Sequence, residues 1–390
     1  MKRSRAQTHL LSLAGAILIA AASSAGCGSH SKHAATTGQQ NLPALPGPSA
    51  VSSPLVVGLS VGAAGYGGSS TAPQLDGIVS ATGARWFRDE FEWSKIEPSP
   101  GKFNFAYYDH YMLLVGERGL HIVAQLLNAP SWAAPTPTSV PANPASYAAY
   151  VAAVVRRYGP GGSFWRRHPR LASSAITTFE LWNEPYFSSG NGGVYDPGRY
   201  ARLVEAAGTA GHAAAPSARF LLEAEMETHL SRVWTWWVDA LYQAVPDLNR
   251  YFEGIAVHDF GTDVNTLSPI VSGKPYPNYG RILRLADLRR QFLEHGAGRK
   301  PFWIMESGWA TCTLHVVDCV TPAQQAANMR SLFHYLQTTW KTWVQAVFVY
   351  RYKDGSEPNT VQGGYGLIRG NGEPKPALEV FKPFAAASAG

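Results

Sequence analysis

The chain is poor in charge. Asp, Glu, Lys and Arg make up 15% of its 390 residues, against 45% hydrophobic residues. That balance lets a chain bury a large core and excludes wholesale disorder. Acidic residues are missing altogether from residues 1–54, where Lys2, Arg3, Arg5 and Lys32 supply four of the net charge of +6. Everything after residue 54 therefore carries only +2, which is no electrostatic footprint for nucleic acid. Motifs are missing too. There is no HExxH, no P-loop and no paired Cys-x-x-Cys, and Gly65-Tyr66-Gly67-Gly68 lacks the dinucleotide-binding spacing. His258-Asp259 and Asp263 do not have the spacing of a metal site. No cofactor and no metal are expected.

What is present begins with an export signature. Lys2, Arg3 and Arg5 precede an apolar run, Leu10 to Ala22, that is too short to span a membrane as a mature helix. Small residues follow, then Cys27. Residues 1–27 read as a secretory signal with a lipobox-like Ala-Gly-Cys end, and Cys27 as the lipidation site that would tether the protein to the membrane. Ser24 stands where an aliphatic residue is usual, so free secretion is the alternative. Residues 28–54 are small, polar and proline-containing, a flexible linker spanning roughly 30 Å as a coil. The expected location is extracytoplasmic. In an oxidising compartment the remaining cysteines, Cys312 and Cys319, are expected to form a disulfide rather than stay free.

From residue 55 to 390 the pattern is repetitive. Eight short β-branched or aromatic runs recur: Leu55–Val61, Arg85–Phe87, Ile122–Leu127, Thr177–Trp182, Phe220–Glu223, Ile255–His258, Phe302–Glu306 and Ala346–Tyr350. Mostly apolar runs suit strands buried on both faces. Helical periodicity separates most of them, over Tyr107–Arg118, Pro144–Tyr158, Pro197–Ala214, Arg232–Val245, Arg281–His295 and Pro322–Thr339. Asn143-Pro144 and Asp196-Pro197 place a capping residue before a first-turn proline, and Thr321-Pro322-Ala323-Gln324 adds a capping box. Alternating strands and helices predict an α/β fold with a parallel sheet. Eight units in this length predict a single-domain (β/α)8 TIM barrel. A two-lobed binding-protein fold is the alternative, but there is no internal repeat and no second-domain linker.

Reactive groups in such a barrel gather at the C-terminal strand ends. Glu184 and Glu306 sit at two of them, on the fourth and seventh runs. Facing carboxylates are what glycosidic cleavage requires: one donates a proton to the leaving oxygen, the other attacks the anomeric carbon. Trp182-Asn183-Glu184-Pro185 resembles the acid/base motif of clan A glycoside hydrolases, and Glu306-Ser307-Gly308-Trp309 resembles their nucleophile strand. Phe87-Arg88-Asp89, then Trp93, Ile96, Glu97, Pro98 and Gly101, resemble that clan's second strand and its following loop. Tyr365-Gly366-Leu367-Ile368 and Lys375-Pro376-Ala377 resemble its C-terminal ending. The resemblance spans residues 55 to 385 and is strongest to families 5 and 39, including bacterial exopolysaccharide endoglycosidases.

The resemblance implies Glu184 as acid/base, Glu306 as nucleophile, Asn183 at the sugar 2-hydroxyl and Arg88 beside the nucleophile. His258 falls where the clan often carries a histidine; a satisfied core histidine is the competing reading. Family 5 often places a tyrosine two residues after that histidine, whereas this chain has Phe260, with Tyr350 or Tyr352 as possible replacements. Trp132, Trp309, Tyr186 and Tyr350 follow or end strands and are candidates to stack on sugar faces, with core packing as the alternative for each. Glu223, Glu225 and Glu227 read as a solvated run, with binding of sugar hydroxyls as the alternative. The expectation is a monomeric retaining glycosidase, endo-acting on an extracellular or cell-envelope polysaccharide or its oligosaccharides. A non-catalytic carbohydrate-binding lipoprotein is the alternative.

Overall fold

The computed structural model describes residues 54–60, 71–186, 196–224, 233–260, 281–314, 319–357 and 359–388. The signal, Cys27, most of the linker, Glu225 and Glu227 lie outside them. Eight parallel strands close into a barrel: β1 (Val56–Ser60), β2 (Trp86–Glu92), β3 (His121–Leu127), β4 (Thr178–Leu181), β5 (Arg219–Glu223), β6 (Gly254–Asp259), β7 (Phe302–Ser307) and β8 (Val344–Val349). Each pairs with the next, and β1 pairs with β8. One helix of three or more turns follows each strand: α1 (Thr71–Thr82), α2 (Ala106–Glu117), α3 (Pro144–Tyr158), α4 (Pro197–Ala214), α5 (Val233–Ala244), α6 (Arg281–Glu294), α7 (Pro322–Gln337) and α8 (Pro376–Ala387).

The capping signals act as their chemistry requires. The side chains of Asn143 and Asp196 accept from the backbone N–H of Ala145 and Arg199, and Thr321 and Gln324 form the reciprocal box that starts α7. Helices α1 and α8 were hidden from the sequence pattern by Pro73 and Pro383. Pro73 lies in the first turn, where an N–H has no intrahelical partner to lose. β2 also runs on past Phe87. Asp89, Glu90 and Glu92 break the apolar pattern, yet Asp89 is buried and accepts from the Tyr111 hydroxyl.

Side chains alternate across each strand, which divides the core in two. Phe87, Ile122, Phe179, Leu222, Ile255, Ile304 and Val347 face the helices. Val123, Leu221, Ala256, Trp303, Met305, Ala346 and Phe348, with Trp86 and Val56 against them, fill the barrel itself. Gly58 makes room there, since a Cβ at that position would lie 2.6 Å from the Phe348 ring. Toward the C-terminal mouth the same inward rows turn polar, as Ser60, Arg88, Gln125, Glu180, Glu223 and His258, all buried.

Around the mouth, the loop after β7 contains a short parallel pair, Ala310–Thr311 with Cys319–Val320, closed by the Cys312–Cys319 disulfide with Cα atoms 5.1 Å apart. The loop after β8 is fastened from beneath. The buried Lys375 ammonium donates to Thr311 Oγ1, Asp354 Oδ1 and the Gly364 carbonyl at 2.7, 2.6 and 2.9 Å. Removing one partner of a buried ion pair leaves the other uncompensated. Lys375→Met should therefore cost about 3–5 kcal/mol. Adding Asp354→Asn should recover part of that loss, and urea unfolding of the two variants and the double variant measures the coupling.

Candidate active site

Two backbone irregularities aim the two candidate carboxylates. β4 ends at Leu181, and Trp182 and Glu184 then take left-handed conformations, at φ 78° and 42°. Such residues cost on the order of 1–3 kcal/mol each and persist where the surroundings fix them. The turn drives the Trp182 ring into the outer core against Tyr147, so that Asn183 and Glu184, neighbours in sequence, both reach the mouth. Glu184 is fixed by its own N–H, which donates to Glu223 Oε2 at 2.7 Å.

The second irregularity is in β7. Against β6, Val257 pairs with Ile304 but His258 pairs with Glu306; against β8, Val347 pairs with Ile304 and Val349 with Ser307. Both ladders carry one extra residue on β7, a bulge at Met305. With Trp303 and Met305 facing inward, strict alternation would turn Glu306 out toward the helices. The bulge returns it to the face it shares with His258.

Arg88 joins the two ends. All five of its N–H groups meet an oxygen: Nε–H on Glu180 Oε2 (2.6 Å), Nη1 on Ser60 Oγ (3.2 Å) and Glu306 Oε1, and Nη2 on Glu180 Oε1 (3.1 Å) and Asn183 Oδ1 (3.2 Å). Gln125 Nε2 also donates to Asn183 Oδ1. With its oxygen doubly engaged, Asn183 presents its NH2 group to a ligand. Burial disfavours the Arg88 charge, but Glu180 and Glu306 outweigh it and hold the guanidinium firmly protonated. Burial likewise penalises the Glu180 carboxylate, and Arg88 and His258 reverse that, lowering its pKa below the ordinary value.

His258 stands between the carboxylates. Its Nδ1 is 2.8 Å from Glu184 Oε1 and 3.9 Å from Glu306 Oε2. Those two oxygens are thus no farther apart than the sum of the distances, about 6.7 Å. Exposure separates the four glutamates by task. The side chains of Glu184 and Glu306 are 26% and 14% exposed, while Glu180 and Glu223 are wholly buried. The first two can meet a ligand; the second two can only support them.

Glu180, Glu223 and His258 lie close enough together to share a metal ion. However, Arg88 already covers both oxygens of Glu180, so the positive charge this cluster calls for is supplied by a side chain.

The structure gathers Arg88, Asn183, Glu184, His258 and Glu306 in one place. It distributes the aromatic candidates differently. Tyr350 is half-buried at the mouth, edge-on to Phe260 and Tyr365. Among the described residues neither Tyr350 nor Tyr352 bonds Glu306; Arg88 does. Trp132 is half-buried, its indole N–H on the Glu97 carbonyl and its ring edge-on to Trp93. Trp309 and Tyr186 require correction. Trp309 is 3% exposed within the outer core and Tyr186 is 5% exposed with its hydroxyl turned to Glu223 Oε1, so neither offers a ring face for stacking. Glu223 is corrected as well, from solvated to fully buried. Its signal was its position: an acid at an inward-facing strand end, level with Glu180 and His258.

Comparison with known proteins agrees with this fold. The sequence profile of glycoside hydrolase family 42, β-galactosidase, matches residues 77–143. No curated protein matches the chain. Among solved structures, a family 39 glycoside hydrolase from the gut symbiont Bacteroides cellulosilyticus WH2 superposes with a TM-score of 0.62 at 18% identity, over 85% of this chain and 64% of that one. This chain thus spans less than two thirds of that enzyme's length. A family 39 β-xylosidase from Caulobacter crescentus gives 0.59 at 18% identity, over 86% and 72%. Xylanase 10B from Thermotoga maritima gives 0.56 at 13% identity, over 86% and 96%. The chain is a (β/α)8 barrel that resembles the clan A glycoside hydrolases.

The cluster also makes stability depend on pH. Burial opposes the His258 imidazolium, but the Glu306 and Glu223 carboxylates outweigh it and raise its pKa well above 6.5. His258 therefore binds its proton more tightly folded than unfolded. Its contribution is complete below the unfolded value, 6.5, and is lost as pH rises through the folded one. Urea midpoints should therefore fall from pH 6 to pH 9, and the fall should be shallower in His258→Gln.

Proposed function

We propose that this chain is a retaining glycoside hydrolase in which Glu306 attacks the anomeric carbon and Glu184 serves as acid/base. The observation that carries this reading is the pair of partly exposed carboxylates no more than about 6.7 Å apart. That favours the roughly 5–5.5 Å spacing of retaining enzymes over the wider spacing of inverting ones. In the first half-reaction Glu306 bonds to the anomeric carbon as Glu184 protonates the departing oxygen. In the second, Glu184 takes a proton from the water that releases the sugar. Arg88 aims Glu306 through Nη1. Asn183, with its NH2 free of Arg88 and Gln125, is placed to hold the 2-hydroxyl, a bond that strengthens in the transition state.

The substrate we infer is an extracellular or cell-envelope polysaccharide, cut internally. The export-like N-terminus and linker support a site of action at the envelope. In this reading the loops after β3 and β7, carrying Trp132 and the disulfide, would flank an open cleft in which remote sugars add binding energy that short substrates cannot use.

Glu184→Ala should lose about 10²–10⁴-fold on natural glycans and far less on aryl glycosides with activated leaving groups, because these need little protonation. Glu306→Ala should lose both. If the selective loss follows Glu306 instead, the roles are reversed. For the mode of attack, a polysaccharide panel with reducing-end detection, run beside Glu306→Gln, identifies a substrate. Its viscosity should then drop early in digestion, whereas monosaccharide released from the start at constant viscosity would mean exo-action. A panel on which the wild type matches Glu306→Gln would leave a sugar-binding protein instead.

A further inference from the structure

Glu223 takes no part in the chemistry just described, yet both its oxygens are committed. Oε2 accepts the Glu184 N–H at 2.7 Å. Oε1 lies 3.1 Å from His258 Nε2 and 3.5 Å from the Tyr186 hydroxyl. The other ring nitrogen of His258 is 2.8 Å from Glu184 Oε1. One carboxylate thus reaches Glu184 twice, directly at its main chain and through the imidazole at its side chain.

We propose that Glu223 is the positioning residue of the acid/base, a two-armed clamp that fixes the backbone of Glu184 and keeps a proton on both nitrogens of His258 so that Nδ1–H points at the Glu184 carboxyl. The inference rests on the glycosidase reading above for its catalytic meaning, and on geometry alone for the clamp.

Three observations argue for it. First, the Glu184 backbone is left-handed, a conformation that needs an outside restraint, and Glu223 Oε2 supplies a charge-assisted hydrogen bond. Second, Glu223 is the acid nearest Nε2: its Oε1 lies at ion-pair distance, 3.1 Å, ahead of Glu180 Oε1 at 3.7 Å, and a negative charge there favours a proton on that nitrogen. Third, a wholly buried carboxylate that met neither cation nor donor would be costly to keep; here the Glu184 N–H and the Tyr186 hydroxyl donate to it and the His258 ring lies beside it.

The charged surroundings of His258 are Arg88 on β2, Glu180 on β4 with Glu184 just beyond it, Glu223 on β5 and Glu306 on β7. Acids outnumber Arg88, so the imidazolium is favoured, and replacing Glu223 with an amide removes the acid nearest Nε2. Loss of that charge must make His258 release its proton at lower pH.

The test is Glu223→Gln, nearly isosteric, with two readouts. Imidazole ¹⁵N NMR of the full chain, with the His258 signals assigned by their loss in His258→Gln, follows the titration without any substrate. It should move down by about one unit or more, a tenfold change in proton affinity. On a glycan the protein cleaves, the alkaline limb of kcat/KM should move the same way, with a larger loss on unactivated glycosides than on activated aryl ones. Should the amide variant fail to fold, Glu223→Asp, whose shorter carboxylate withdraws from Nε2, must shift the titration in the same direction by less. An unmoved His258 titration would overturn the clamp and leave Glu223 as packing. A wild type that cleaves nothing while His258 still shifts would refute the glycosidase reading and leave the clamp standing.

Discussion

A guanidinium sealed inside a protein must find an acceptor for every hydrogen and a counter-charge close by, or its burial is prohibitive. Arg88 meets both demands only through residues drawn from β1, β4 and the turn beyond it, and β7. That one requirement fixes the relative height of those strand ends. It also explains why Glu180 is fully buried: it neutralises Arg88 with both oxygens, which leaves Arg88 a further arm for Glu306 and the cluster a residual negative charge that holds a proton on His258.

The two exposed carboxylates reach this hub by opposite means. β7 keeps its pairing and inserts a residue; β4 stops, and the chain turns through left-handed conformations. Neither device is part of a regular (β/α)8 barrel, and each departs from local preference in favour of the site. The rule that strain and irregularity collect where function lives is visible here at Met305, Trp182 and Glu184.

That contrast also marks what could be read from sequence. The eight strands were legible because buried parallel strands are apolar on both faces. Glu184 and Glu306 were legible because each ends such a run. Helices α1 and α8 were not, since a proline in the first turn or near the C-terminal end looks like a breaker out of context. Trp309 and Tyr186 misled because a ring at a strand end has two destinations, cleft or core, and only the path of the backbone chooses between them. Glu223 was missed because an acid in a run with two others reads as solvent-facing, whereas the barrel's inward row places it behind Glu184. The direction of Glu306 was least legible of all: alternation from Trp303 would have pointed it at the helices.

The closing pair of strands has a consequence for how the molecule is made. β1 is bonded to β8, with Val57 opposite Val347, and the Val57 N–H donates to Ser388 near the C-terminal end of α8. β1 thus waits for the last strand of the barrel. Contacts this far apart in the chain form late and slowly, so an emerging chain keeps two unpaired sheet edges until β8 arrives. Loss of β8 would therefore be felt first at β1, as an open and aggregation-prone sheet, rather than at the mouth of the barrel.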